Sequence, residues 1–517
     1  MKIILLLTLL IQSVLSQSVT LLSPTEKREV DERIQRFYAA PFDHPDVLQS
    51  PVPKWGLDTG NWKKERLQSK KDPCPEMKKH FPELYRHYCG GWEIMAPKDR
   101  VEFLAKGIEK PSALRYSLQQ IPNKGQVKKP LWSDDYWRSL WGGLGYRYAE
   151  GTEYKSFEDA LAAYSQPNAW TALAGLSVPE VGKVTSRWSP AEKYDLSVGD
   201  DTFNLTEEQR QEGKDLLAEL GKVPDWMGIC DGWSAATLML PAPQKSLAVK
   251  GAGGVLVTWY PADIRAIGSL AWARGKYATN FIGGRCDSKK PEVYPNGRIK
   301  DPDCFDNSPA TFHLSLGNLM GRNGLPFVMD RVFSDEVWNQ PLFAYEFTYF
   351  NPLDSKQRNS DWRRVAVEYD DKFRAKDRFQ DPPTRGVGVS KIVGVIATVV
   401  YLEELSPPDH GPQVEPPLLA RKTYTYDLEL YEEGGDAIPL GGEWHDNRHP
   451  DFLWVPRPGT VAKTSEDKLP VEFAGEFTDE LKALAQKASK KGSPLCRVVK
   501  YLFEESTGES VYLCSPN

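Results

Sequence analysis

Histidine and cysteine are both scarce in this chain, at seven each among 517 residues, and no segment beyond the extreme N-terminus stays apolar for long. Each shortage narrows the field. So few histidines leave little material for a histidine-rich metal centre, and an imidazole base has to come from His44, His80, His87, His313, His410, His445 or His449. The apolar run from Ile392 to Leu402 falls well short of the roughly 20 residues a membrane-spanning helix needs, so it reads as a buried strand. A basic surplus is missing too: 65 Lys and Arg stand against 71 Asp and Glu, a net charge of −6. Charge so evenly mixed argues against nucleic acid or an anionic membrane as the main partner. What the chain has in excess is tryptophan, with 16 residues, and most of these are expected to fill a core.

The N-terminus breaks the pattern. Lys2 is followed by the apolar stretch Ile3 to Leu7, continuing through Leu9, Leu10 and Ile11, and by Val14-Leu15-Ser16. This reads as a signal peptide over residues 1–16, too short to span a bilayer, and it places the mature chain in an oxidising, extracellular setting. Six cysteines fall into three sequence-local pairs there: Cys74 with Cys89, Cys286 with Cys304, and Cys496 with Cys514. Cys230 is left over, and an odd thiol in an oxidising compartment is a candidate reactive group. It stands in Trp226-Met227-Gly228-Ile229-Cys230-Asp231-Gly232-Trp233, ahead of the helix-spaced set Trp233, Ala236, Thr237 and Leu240, with Pro241 as the stop. A thiol at a helix N-terminus is expected to have a lowered pKa, which arms the sulfur; a buried core cysteine is the plainer alternative. The sequon Asn204-Leu205-Thr206 fits a secreted glycoprotein.

Pattern and punctuation give an α+β fold. Residues 17–130 read as a helical N-terminal region, with a removable prosegment as an open reading, and with a helix over Glu26 to Ala40. Residues 131–350 read as a helix-and-sheet catalytic core and 351–517 as a mainly β domain. Trp132 to Trp137 is expected to open a helix. Ser189 with Pro190 marks a helix start, as does Asp263 ahead of Ile264, Ile267, Leu270 and Ala271, with Gly275 closing that helix. Arg364 to Tyr369, Ile392 to Leu402 and Thr423 to Leu430 are expected strands.

A nucleophilic cysteine needs a base and a group to orient that base. His313 and then Asp330, at the end of the apolar stretch Gly324 to Asp330, follow Cys230 in the chain order of papain-like proteases and transglutaminase cores. His445 and His449 resemble half of a zinc site, but a structural turn suits them better. The acidic loop Lys300 to Asn307 offers Asp301, Asp303 and Asp306 as hard oxygen ligands, although it lacks the EF-hand spacing and could equally be solvated surface.

Val337-Trp338-Asn339-Gln340-Pro341, after Phe327-Val328-Met329-Asp330, resembles the signature of the transglutaminase elicitor family of oomycetes and marine vibrios. Blocks around Ser189, Cys230, Asp263, Gly442 and His449 resemble that family in the same order, so the resemblance spans roughly 130–460. It implies a papain-like catalytic core and a calcium-dependent protein-glutamine γ-glutamyltransferase. Cys230, His313 and Asp330 would be the triad, and Trp226, Trp233, Trp338 and Asn339 would form an oxyanion and substrate pocket. The partners implied are proteins bearing glutamine and lysine, with a possible host receptor for the segment Val337 to Pro341. The chain departs from the family after Pro341, where Leu342-Phe343-Ala344-Tyr345 replaces a more basic continuation. A papain-like protease or glutaminase, and a non-enzymatic elicitor, stay open as alternatives.

Overall fold

The computed structural model describes residues 23–39 and 99–514 except 109, 111–112, 165–172, 174, 285–291, 293, 297–306, 333–335, 381–384, 387, 406–415, 447–448, 463–465 and 467–472. Helix α1 is Pro24–Ala39, starting two residues before and ending one residue before the helix expected over Glu26 to Ala40. It is followed by β1 (Lys124–Gln126), α2 (Pro190–Val198), α3 (Asn204–Leu220) and α4 (Cys230–Met239). Then come β2 (Leu247–Lys250), β3 (Leu256–Trp259), α5 (Pro261–Arg274), β4 (Thr279–Gly283) and α6 (Pro309–Ser315). Strands β5 (Val328–Asp330), β6 (Asn339–Asn351), β7 (Asp354–Asn359), β8 (Val367–Glu368), β9 (Lys391–Leu402), β10 (Leu419–Glu433), β11 (Asp436–Trp444) and β12 (Phe452–Pro456) precede α7 (Asp479–Ser489) and α8 (Cys496–Thr507).

The helix starts follow from local chemistry. Ser189 caps α2 by accepting from the Glu192 amide while the Glu192 carboxylate accepts from the Ser189 amide, with Pro190 at the first helical position. Helix α5 begins at Pro261, earlier than the expected cap at Asp263. That carboxylate sits one turn inside and accepts from the Tyr260 amide, the Tyr148 hydroxyl and the buried Lys193 ammonium. Helix α4 starts at Cys230 and stops before Pro241, as its spacing predicts. The expected helix at Trp132 does not form. Asp135 takes the Trp137 amide onto its own carboxylate, Trp137 adopts a left-handed backbone with φ of 49°, and Thr237 on α4 takes the Trp132 amide. Likewise only Val367–Glu368 of the expected 364–369 strand pairs, because Asp361 draws Trp362–Arg364 into a helical turn.

The strands form a ten-stranded sheet with the path β11-β10-β9-β6-β5-β12-β4, to which β1, β7 and β8 add at the side; β2 and β3 form a separate hairpin. Its pairings are antiparallel throughout. Strand β9, rich in Val and Ile, is buried on both faces over nearly its whole length, and the Tyr-bearing β10 is buried from Tyr424 to Leu430. The sheet crosses residue 350 without a break: β6, on one side of the expected domain boundary, pairs along its length with β9 on the other. The C-terminal part is also not purely β, since α7 and α8 close the chain. Phe503 of α8 lies against Gly268 of α5, and a disulfide between Cys496 and Cys514 ties the start of α8 to the segment after it.

Two glycines set where α4 lies. A methyl group on Gly232 would stand 2.3 Å from the Ser269 carbonyl oxygen, so this residue lets α4 and α5 touch backbone to backbone. A methyl on Gly228 would stand 2.3 Å from the Tyr136 carbonyl oxygen, which accepts from the Ile229 amide at 2.7 Å. The turn before Cys230 is thereby held to the Tyr136 segment, and the first turn of the helix to α5.

Candidate active site

Cys230 opens α4, is buried, and is the free cysteine among the described residues. Its Sγ donates to the Val337 carbonyl at 3.7 Å and accepts from Asn339 Nδ2 at 3.4 Å. Asn339 starts β6, where it pairs in register with Asp330 of β5. Trp454 of β12 pairs with Val328, two residues from Asp330, so Asp330, Asn339 and Trp454 share one face of the sheet, the face toward Cys230. The Trp454 indole nitrogen donates to Asn339 Oδ1 at 2.7 Å. Ser234, one turn along α4 from the thiol, donates to the Asn339 backbone oxygen at 2.8 Å. Asp330 Oδ1 accepts from the Trp338 amide at 3.0 Å and fixes the approach to β6.

Burial pushes the Cys230 thiol up to about 12, the neighbouring Asp231 carboxylate acts in the same direction, and the Asn339 amide only partly offsets them. Position at a helix N-terminus therefore does not give the lowered pKa expected from the sequence; removal from water outweighs it. At neutral pH the sulfur is a thiol, and its proton must leave as it reacts.

His313 is not beside this thiol. It lies in α6, fully buried, with Nδ1 3.0 Å from the Tyr426 hydroxyl, Nε2 3.3 Å from the Tyr349 hydroxyl, and its ring stacked on Phe347 at 3.8 Å. Phe347 is eight positions along β6 from Asn339, on the order of 25 Å at roughly 3.3 Å per residue. Burial drives the imidazole down to about 3, so it is neutral at any ordinary pH. Of the expected triad, the sheet brings Asp330 to the side of Cys230 and carries His313 into an aromatic core instead.

The family profile of the transglutaminase elicitors matches residues 110–373, more than half of the chain and a span that contains Cys230, Asp330 and Asn339. The chain belongs to the transglutaminase elicitor family. Among solved structures it is similar to the GP42 transglutaminase from Phytophthora sojae, with 20% sequence identity and a TM-score of 0.44 over 73% of this chain and 94% of that one. No curated protein matches it.

In this elicitor-family chain the aromatic residues expected around the thiol separate into two kinds. Trp233 is fully buried and donates its indole N–H to the Trp132 carbonyl, so it belongs to the core and lines no pocket. Trp338 is half-buried beside the site: its ring meets Tyr136 edge-on at 5.4 Å, the Arg331 guanidinium lies over it at 5.1 Å, and its indole N–H reaches Glu336. Trp226 is half-buried in the turn leading to Cys230. Of the segment Val337 to Pro341, Asn339, Gln340 and Pro341 are buried within β6. A receptor reading that segment in the folded protein would meet little beyond Val337 and Trp338.

His445 and His449 are buried and neutral, the latter stacked on Trp444 at 5.3 Å, which fits a structural turn. Asn204 opens α3 with its amide nitrogen on both Asp200 oxygens, and the Thr206 hydroxyl is buried against Asp195, so a glycan there would displace these bonds. Cys74, Cys89, Cys286, Cys304, Asp301, Asp303 and Asp306 lie outside the described residues. Among the described residues no group of three or more His, Cys, Asp or Glu is placed to hold a metal ion, and no helix is long and apolar enough to cross a membrane. Sequence reading missed Ser234 and the part played by Trp454. The pairing of β5 with β12 brings Trp454 to the site, and that pairing spans more than a hundred residues.

Proposed function

We propose that this chain is a secreted protein-glutamine γ-glutamyltransferase in which Cys230 carries the acyl group. Family membership supports this reaction class. The observation that supports this thiol is its setting: a free cysteine at the first position of a buried helix, with an amide donor, Asn339, aimed at its sulfur.

Sulfur forms a bond to the carboxamide carbon of a glutamine side chain, the C–N bond breaks, and the thiol proton leaves with the nitrogen as ammonia, giving a thioester. A lysine amine then attacks the thioester carbon, the C–S bond breaks, the proton lost from the amine goes to the departing sulfur, and an isopeptide bond results. The N-terminal end of α4 and the Asn339 amide favour negative charge at this point of the chain. Half-buried Trp338 meets the buried Tyr136 edge-on and adjoins Val337, the residue that accepts from the thiol, so in this reading the aromatic pair limits solvent near the sulfur and favours an amine over water. Asp330 holds the chain in place here rather than orienting His313. The resemblance also implies calcium; since Asp301, Asp303 and Asp306 lie outside the described residues, no step is assigned to a metal.

The test is incorporation of dansyl-cadaverine into casein. Label in the protein with peptide bonds uncut supports the transferase; cleavage without label makes the chain a protease, and neither outcome with correctly folded protein removes the enzymatic reading.

A further inference from the structure

Asparagine side chains present an acceptor at one end and a donor at the other, and which end faces sulfur decides whether Asn339 helps or hinders a thiolate. The neighbour settles it. An indole N–H can only donate, so Trp454 Nε1, 2.7 Å away, must face the amide oxygen. The NH2 group is thereby turned toward Cys230, where it stands 3.4 Å from Sγ. The backbone is fixed independently: Asn339 pairs with Asp330 across β5 and β6, and its carbonyl accepts from Ser234 on the helix that carries the thiol. Strand β12, strand β6 and helix α4 thus meet at one side chain.

We infer that Trp454, Asn339 and Cys230 form a directed hydrogen-bond relay in which Asn339 is the donor that stabilises charge on the sulfur and Trp454 is the positioning residue that aims it. Val337 holds the opposite state. Its carbonyl accepts the S–H at 3.7 Å and favours the neutral thiol, whereas the Asn339 NH2 gains strength once the proton has left. Trp454 is buried and its indole is spent on Asn339, so its contribution reaches the sulfur only through the amide.

This rests on Cys230 as the reactive thiol but not on the acceptor being lysine, so it is read without turnover. The rate of Cys230 alkylation by iodoacetamide is followed against pH in the full chain, with near-ultraviolet circular dichroism as the check on folding. Trp454→Phe keeps a ring and removes the N–H; alkylation at a fixed pH below the thiol pKa should slow by about threefold to tenfold and the profile should move to higher pH. Asn339→Asp puts an anion in place of the donor and should slow it by more than about 30-fold. Adding Trp454→Phe to Asn339→Asp should cost little more, because the relay is already cut. A wild-type profile in either single variant overturns the relay, and each variant alone suffices if the other does not fold. Failure of the wild-type chain to incorporate amines would defeat the acyl-transfer reading while leaving these profiles to decide the relay.

Discussion

Strand β6 holds a titratable side chain against each of its two ends, and the two are buried to opposite purpose. At its start Cys230 meets a polar amide, a carbonyl and a helix N-terminus; farther along, His313 meets two neutral hydroxyls and a phenyl ring. Burial raises the acid in one case and weakens the base in the other, and both end up neutral. The difference lies in what would happen on charging. Around Cys230 a donor is already aimed at a sulfur anion, whereas an imidazolium at His313 would find no carboxylate in hydrogen-bond contact among the described residues. Burial alone therefore does not mark a reactive group; the partner that favours the charged state does.

The sharpest way to break this comparison is to remove each group in turn. Cys230→Ala should lower amine incorporation by at least about a thousandfold while leaving the fold intact, checked by dansyl-cadaverine labelling beside a thermal melt. His313→Ala should act on the opposite observable, costing about 3–5 kcal/mol in urea unfolding, because it opens a cavity on Phe347 and strips two buried tyrosine hydroxyls of a partner. Turnover per folded molecule should survive. If a fully folded His313 variant loses turnover, the imidazole belongs to the thiol's chemistry after all.

A smaller effect is expected from the disulfide, which sits away from both ends of β6. Replacing Cys496 and Cys514 by Ser removes a closure across 18 residues and should cost about 3 kcal/mol, with amine incorporation unchanged below the melting range. The smallest effect is in the pH dependence. His313 has a folded pKa depressed to about 3, below its unfolded value of 6.5, so its contribution is whole above pH 6.5 and is lost as the pH falls toward 3, where the unfolded chain takes up the proton first. His313→Gln should flatten that decline, by about 2 kcal/mol between pH 6.5 and 5 in urea titrations. Asp99, buried and raised to about 7, acts in the opposite sense: its share is fully present below 3.8 and fades as the pH rises through 7, so the wild-type slope is the sum of opposed contributions.

How far the sequence carried this comparison depends on distance along the chain. The start of α4 at Cys230 and the paired caps of α2 were legible because a few adjacent residues decide them. The helix expected at Trp132 failed because the Asp135 carboxylate took the Trp137 amide and Thr237 captured the Trp132 amide, and the second of these is a long-range contact. The order Cys230, His313, Asp330 was visible, but order does not say which face of which strand a side chain reaches. His313 lies in a proline-started helix whose Phe312 packs beside Tyr424 and Trp444, and these aromatic contacts pull it to the far part of the sheet. The site's own partners, Asn339 and Trp454, are 115 residues apart and meet only through β5. The expected boundary near 350 failed for a related reason: a change in local pattern at that point reflects the switch from helices to long strands within one sheet.

Gly228 and Gly232 fix the Tyr136 segment and α5 so close to the thiol turn that neither can yield without backbone moving. For anyone designing a covalent probe, the sulfur is a stationary target. Reach and approach angle have to be built into the warhead, and a compound that relies on the cysteine swinging out to meet it will bind without reacting.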